Sequence, residues 1–188
     1  MSTPRDFIID YDENRKDIEK WLSIKCEQKY RRFAELLKEN GIETTWKNIS
    51  ELYRYDKRLL FNAFRYISFE EEYLRARAVY SSENPEKEYG ELQEKSLNGL
   101  IIELKRLDLI GDDETQNLMN IKALRNAVSH NRIILEEKDA EGEFVSLYKA
   151  LPENYKGGFA NDVCKCTSNL NVPEKLIISI AHNCDNQA

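Results

Sequence analysis

The chain has 188 residues, 33% charged and 41% hydrophobic, which suits one soluble domain large enough for its own core. Asp and Glu total 34 against 28 Lys and Arg, a formal net charge of -6, so no global positive field draws a polyanion and any nucleic-acid contact must rest on locally concentrated cations. No apolar run approaches the length of a membrane span and Met1 to Asp10 lack a signal-peptide core, so the expectation is a cytoplasmic protein with no membrane attachment.

Residues 13–40 read as one helix, because Ile18, Leu22, Cys26, Tyr30, Phe33 and Leu37 recur at spacings of three and four before the Asn40-Gly41 stop. Residues 46–55 read as a separate short helix. The longest helical pattern follows over 56–80 and ends at the Ser81 to Pro85 cluster. Its seam is Leu60, Phe64, Ile67, Glu71, Leu74 and Ala78, so Glu71 is a carboxylate on an otherwise apolar stripe and must find a cation or a proton. Arg75, one turn on, can pair with it locally. Arg125 is the more distant partner, since Leu118, Ile121 and Val128 place it too beside an apolar stripe. The expected arrangement is a Glu71-Arg125 or Glu71-Arg75-Arg125 cluster where the two helices pack.

Further helices are expected over 88–109 and 114–129, the second capped by Asp112 or Asp113 after the turn at Gly111. The triplet Asp112-Asp113-Glu114 is explained by capping without a metal. Beyond Arg132 the period changes. Ile133 to Leu135 and Phe144 to Tyr148 flank a polar turn and suggest a small β-hairpin, residues 151–168 read as loop, and 176–182 as a final apolar element. The expected class is mainly α, a helical bundle over 1–135 with a hairpin or irregular extension over 136–188 packed on it. Cys26, Cys164, Cys166 and Cys184, with His182, do not reproduce the paired spacings of structural zinc sites and read as reduced thiols. Neither metal nor cofactor is expected.

The stretch richest in chemistry is Arg125-Asn126-Ala127-Val128-Ser129-His130, followed by Asn131 and Arg132, and it holds one of the chain's 2 histidines. A permanent cation, an amide and an imidazole within two turns can hold a phosphate and move a proton at neutral pH. At roughly 100° per residue, Asn126 and His130 share a face, as do Arg125 and Ser129, whereas Arg125 and His130 stand about 140° apart. One straight helix therefore does not aim both at one atom. Either the helix ends near Asn131 or a second copy of the motif faces the first.

The Arg-x4-His spacing with Asn directly after Arg resembles the signature of the HEPN superfamily, helical bundles that are often ribonucleases of toxin, abortive-infection and CRISPR systems. Asp56-Lys57-Arg58-Leu59-Leu60, then Ile67-Ser68-Phe69-Glu70-Glu71-Glu72-Tyr73-Leu74-Arg75, resemble its Abi-like branch; Arg132 follows His130 by two residues where that pattern has three. The resemblance implies a HEPN-like bundle acting as a metal-independent endoribonuclease in phage defence or as a toxin. Arg125, Asn126 and His130 would be catalytic, with Glu71, Arg75 and Ser129 in support. Arg58, Arg65, Lys122 and Arg132 would gather RNA phosphates. It further implies a homodimer and a protein or RNA antitoxin or regulator. The alternative from another class is a non-catalytic HEPN module that binds RNA or protein.

Overall fold

Apolar residues at helical spacing organise nearly the whole chain: the computed structural model describes residues 3–180, and among them every regular element is helical. The elements are α1 (Tyr11–Ile24), α2 (Glu27–Glu39), α3 (Trp46–Tyr80), α4 (Pro85–Gln93), α5 (Leu97–Arg106), α6 (Asp112–Asn120), α7 (Lys122–Ser129), α8 (Ala140–Ala150) and α9 (Glu153–Cys164), with short 3₁₀ turns between and after them. The mainly α class is as expected. No described helix is long and apolar enough to cross a membrane. The elements group into two units, Met1–Arg58 with Cys166–Ile177 and Leu59–Lys165 with Ile178–Ala188, and α3 contributes residues to both.

In the first unit, α2 buries Tyr30, Phe33, Ala34 and Leu37, the large ones each worth about 1.5–3 kcal/mol of burial. It stops where Gly41 adopts φ 71°, with the Ile42 N–H donating to the Leu37 carbonyl at 2.9 Å and the Gly41 N–H to Lys38 at 3.0 Å, a Schellman ending. The first turn of α3 is capped from two sides. Thr45 Oγ1 accepts the Asn48 N–H at 3.2 Å, and Asp10 Oδ1 accepts the Trp46 N–H at 2.7 Å across 36 residues. The buried Glu51 accepts the Asn171 N–H at 3.0 Å, and Arg58 Nη1 donates to the carbonyls of Cys166 at 2.9 Å and Ser168 at 2.7 Å, tying the returning segment down.

In the second unit, α8 packs against α6, α7 and α9 and buries Phe144 and Leu147 completely. On α9, Phe159 lies between Tyr66, tilted against it at 4.8 Å, and Phe144, stacked at 6.0 Å. The Tyr66 hydroxyl donates to Asp162 Oδ2 at 2.9 Å and Asn62 Nδ2 to the Asp162 carbonyl at 3.0 Å.

Several expected boundaries move. The helix expected over 13–40 breaks at Lys25-Cys26, both extended. Only Ile18 of α1 is buried, so no apolar stripe carries the helix through. The two helices expected over 46–80 are one of 35 residues, since Leu52, Tyr55 and Leu59 stay on one buried stripe and no breaker intervenes. The helix expected over 88–109 divides at 94–96, where the Ser96 hydroxyl accepts the Gly99 N–H at 3.3 Å to begin α5, and Arg75 of α3 donates to the Leu92 and Lys95 carbonyls, both at 3.2 Å. Ile121 interrupts the helix expected over 114–129, and Gly111, not an Asp, is the N-cap of α6.

The β-hairpin is not formed. Residues 134–136 make a 3₁₀ turn and 140–150 make α8, opened by Asp139 accepting the Gly142 N–H at 3.3 Å. A short apolar run fits strand and helix alike, and here Glu143, Phe144, Leu147 and Ala150 bury at helical spacing. The stretch expected as loop carries α9, with Phe159 and Val163 four apart on its buried side. Glu174–Leu176 is a 3₁₀ turn, followed by buried Ile178 and Ile180. Cys26 and Cys166 are in no disulfide, whereas Cys164 is disulfide-bonded, contrary to the reading of four reduced cysteines. His182 and Cys184 lie outside the described residues.

Candidate functional site

α7 turns Leu124, Ala127 and Val128 to the core, which leaves Arg125, Asn126, Ser129 and His130 on the other side. Arg125 and Asn126 are half-buried; Ser129 and His130 are exposed. The helix ends by design of its last carbonyls. Asn131 adopts φ 51°, its N–H donates to the Val128 carbonyl at 3.1 Å, and the Arg132 N–H donates to Ala127 at 2.8 Å. This is again a Schellman ending, with Asn in the left-handed position usually given to Gly. His130 is the C-cap, with φ -99° and ψ 8°.

Arg125 is anchored. Its Nε donates to Glu71 Oε1 at 3.4 Å, while Arg75 Nη2 lies 3.6 Å from Glu71 Oε2. The three-membered cluster expected from two charged interruptions of apolar stripes is therefore formed between α3 and α7. The Glu71 side chain is 17% exposed and Arg125 38%. Arg75 also closes the carbonyl end of α4, so this guanidinium is a structural hub. The His130 imidazole has no hydrogen bond or ion pair to a described residue; the nearest preorganised cation by sequence points at α3.

The four cations expected to gather phosphates differ in what already holds them. Lys122 and Arg132 are exposed at the two ends of α7, Arg132 with only Glu137 at 4.0 Å. Arg65 is paired with Asp162 at 3.0 Å and lies over the rings of Tyr66 and Phe69. Arg58 belongs to the first unit and is committed to the two carbonyls described above.

Sequence reasoning missed the most buried carboxylate. Glu70 is 0% exposed, and neither of its oxygens has a hydrogen bond. Burial, then the neighbouring charge of Glu114, pushes its carboxyl up to about 8, against a smaller opposing pull from Arg77. Arg77 in turn bonds Glu114 and the Leu109 carbonyl. The signal was present: Ala63, Ile67, Glu70, Leu74 and Ala78 continue at spacings of four and three, and all are buried, whereas Phe64 of the expected seam is 58% exposed. Glu143 on α8 is similar, pushed up to about 7 by burial and then by Glu137 and Asp139.

The acids that open α6 are engaged, Asp112 with Lys105 and Glu114 with Arg77. No group of three or more His, Cys, Asp or Glu among the described residues is placed to hold a metal ion. No protein-family model, curated protein or solved structure matches this chain.

Proposed function

We propose that the protein is a HEPN-type endoribonuclease, of the Abi-like kind, that cleaves RNA through its own ribose 2'-OH and acts in the cytoplasm in phage defence or as a toxin. The observation that carries the reading is the pairing of a fixed Arg125, braced on Glu71, with an exposed His130 five residues later at a helix end. His130 takes the 2'-OH proton as that oxygen attacks the adjacent phosphorus. The bond from phosphorus to O5' then breaks, and an imidazolium returns a proton to the leaving oxygen. The products are a 2',3'-cyclic phosphate and a 5'-hydroxyl. Arg125 offsets charge growing on the phosphate oxygens, and Asn126 and Ser129 orient the phosphate or the imidazole. The reaction draws on no metal or cofactor, because RNA supplies the nucleophile. Since Arg125 and His130 diverge on one helix, a homodimer with two motifs facing one cleft is part of the proposal, and a protein or RNA antitoxin is its natural regulator.

A second reading is favoured by one observation: Arg125 is already satisfied by Glu71 and His130 completes a helix cap, roles that need no catalysis. This describes a non-catalytic HEPN module that binds RNA or protein. The experiment that separates the two is incubation of the wild type and of His130→Ala with mixed cellular RNA in EDTA, reading fragment ends. Cyclic phosphates made by the wild type and lost in the variant support the nuclease. Retained RNA binding without cleavage by either supports the module.

A further inference from the structure

The break between α1 and α2 has no Gly or Pro to cause it, and it lies beside a cavity. The cavity belongs wholly to the first unit, has a volume of about 260 Å³, and is lined by Trp21, Lys25, Tyr30, Trp46, Ser50 and Tyr53 with Arg54 at its edge. Two cations and no carboxylate line it, and of the two Arg54 has Glu51 Oε1 3.7 Å from its Nη2. Tyr30 stacks on Trp46 at 5.3 Å and on Tyr53 at 4.9 Å, so three of the lining rings form one aromatic column. The extended backbone at Lys25 lays its ammonium 4.8 Å from the Trp21 ring centre and 4.3 Å from Tyr53. That ammonium has no carboxylate partner among the described residues, and burial lowers its proton affinity. Lys57 lies next to Tyr53, and its own affinity is lowered by burial and then by Lys29. The site thus holds positive charge supported by π faces more than by anions.

One more group is unsatisfied. Ser50 Oγ is buried against this cavity with no hydrogen-bond partner, which is costly unless something polar enters. Ring faces, an unpaired cation and an orphaned hydroxyl define the ligand: planar, anionic, and bearing a heteroatom beside its ring. We infer that this cavity binds a nucleoside monophosphate unit, with its base against the tryptophan rings, a base or ribose heteroatom at Ser50 Oγ, and its phosphate on Lys25 and Arg54. A phosphotyrosine side chain shares the ring and the phosphate but has only its ester oxygen on the ring, and neither the ring heteroatoms nor the sugar hydroxyls of a nucleotide. Stacking on aromatic side chains with basic residues on the phosphate is also how unpaired nucleotides of a strand are held. The unit is therefore either a free nucleotide or one unpaired residue of RNA. The inference does not depend on the nuclease reading, since His130 belongs to the other unit.

Both tryptophans of the chain line the cavity, so tryptophan fluorescence, excited at wavelengths that tyrosine does not absorb, reports on this site. The full chain is titrated with adenosine and uridine 5'-monophosphates, an eight-residue oligouridylate, inorganic phosphate and O-phosphotyrosine. The expected result is saturable quenching by the monophosphates or the oligonucleotide. It should weaken at least tenfold in Lys25→Met, severalfold in Ser50→Ala, and not at all in His130→Ala. Binding by the monophosphates assigns a free nucleotide, and binding by the oligonucleotide alone assigns an unpaired RNA residue. Quenching by neither overturns the inference, as does phosphate or phosphotyrosine binding as tightly as the nucleotides. Should Lys25→Met fail to fold by circular dichroism, Arg54→Gln takes its place, and unchanged affinity there overturns the inference equally.

Discussion

Glu71 answers to two guanidiniums, whereas Glu70, the next residue of the same helix, is fully buried with both oxygens unpartnered. With its carboxyl pushed up to about 8 from an ordinary 4.5, Glu70 binds more protons folded than unfolded between those values. Its contribution to stability is complete below about pH 4.5 and is lost as pH rises through about 8. Glu70→Gln should therefore raise stability at pH 8 by on the order of 2 kcal/mol, with little gain at pH 4. Urea unfolding at the two pH values measures this, and an equal effect at both would refute it. At Glu71 the expectation is different. Glu71→Gln removes the charge that holds Arg125, and if Arg125 acts on phosphate, cleavage should fall roughly tenfold or more while binding of RNA changes less. A single-turnover assay separates the two.

Helix endings decide much at the next scale. Gly41, Asp108 and Asn131 all stand in the left-handed region after a helix, and Asp108 completes α5 as Gly41 completes α2, with the Leu109 N–H on the Leu104 carbonyl at 2.9 Å. An L residue there carries a steric penalty that Gly lacks. Asp108→Gly should raise stability by about 0.5–1 kcal/mol, seen as a melting temperature higher by roughly 1–4 °C. The two glycines inside α9 differ in the opposite way. A methyl at Gly157 meets nothing within 4 Å, whereas at Gly158 it comes within 3.2 Å of the Tyr66 hydroxyl, which is held by Asp162. Gly157→Ala should gain up to about 1 kcal/mol from helix propensity, and Gly158→Ala distinctly less or a net loss; thermal melts of both rank them. Stripes such as that of α2 were legible because burial follows the apolar period, whereas the continuity of α3 across 55 and 56 was not. The breaks at Lys25 and Ile121 were not, since neither carries a local breaker and tertiary partners decide them. α8 and α9 were hidden because a five-residue apolar run and a Gly-Gly pair look like strand and loop until a core is there to receive Phe144 and Phe159. In the candidate site, the Glu71 cluster was legible because a charge on an apolar seam needs an opposite one. Glu70 was not, because one step of about 100° separates it from its neighbour and both positions fit the stripe.

For the whole molecule, a net charge of -6 means that an RNA substrate, as proposed, would be held by few cations against a repulsive background. Binding should weaken steeply with salt, and Lys122→Gln and Arg132→Gln should each reduce the slope of log affinity against log salt by about 0.7. Filter binding across a salt series tests this; an unchanged slope removes those residues from the interface. Light scattering at micromolar concentration tests the dimer. One feature of the fold bears on inheritance. The division between the two units falls at Arg58 and Leu59, in the interior of a helix of 35 residues, and the first unit is completed only by Cys166–Ile177, a segment that interrupts the second. A genetic cut there would strand the amides and carbonyls of a helix interior on both fragments. Neither unit is a cassette that recombination could move alone, so fusions and insertions compatible with this protein should be confined to its ends or to the turns between its helices.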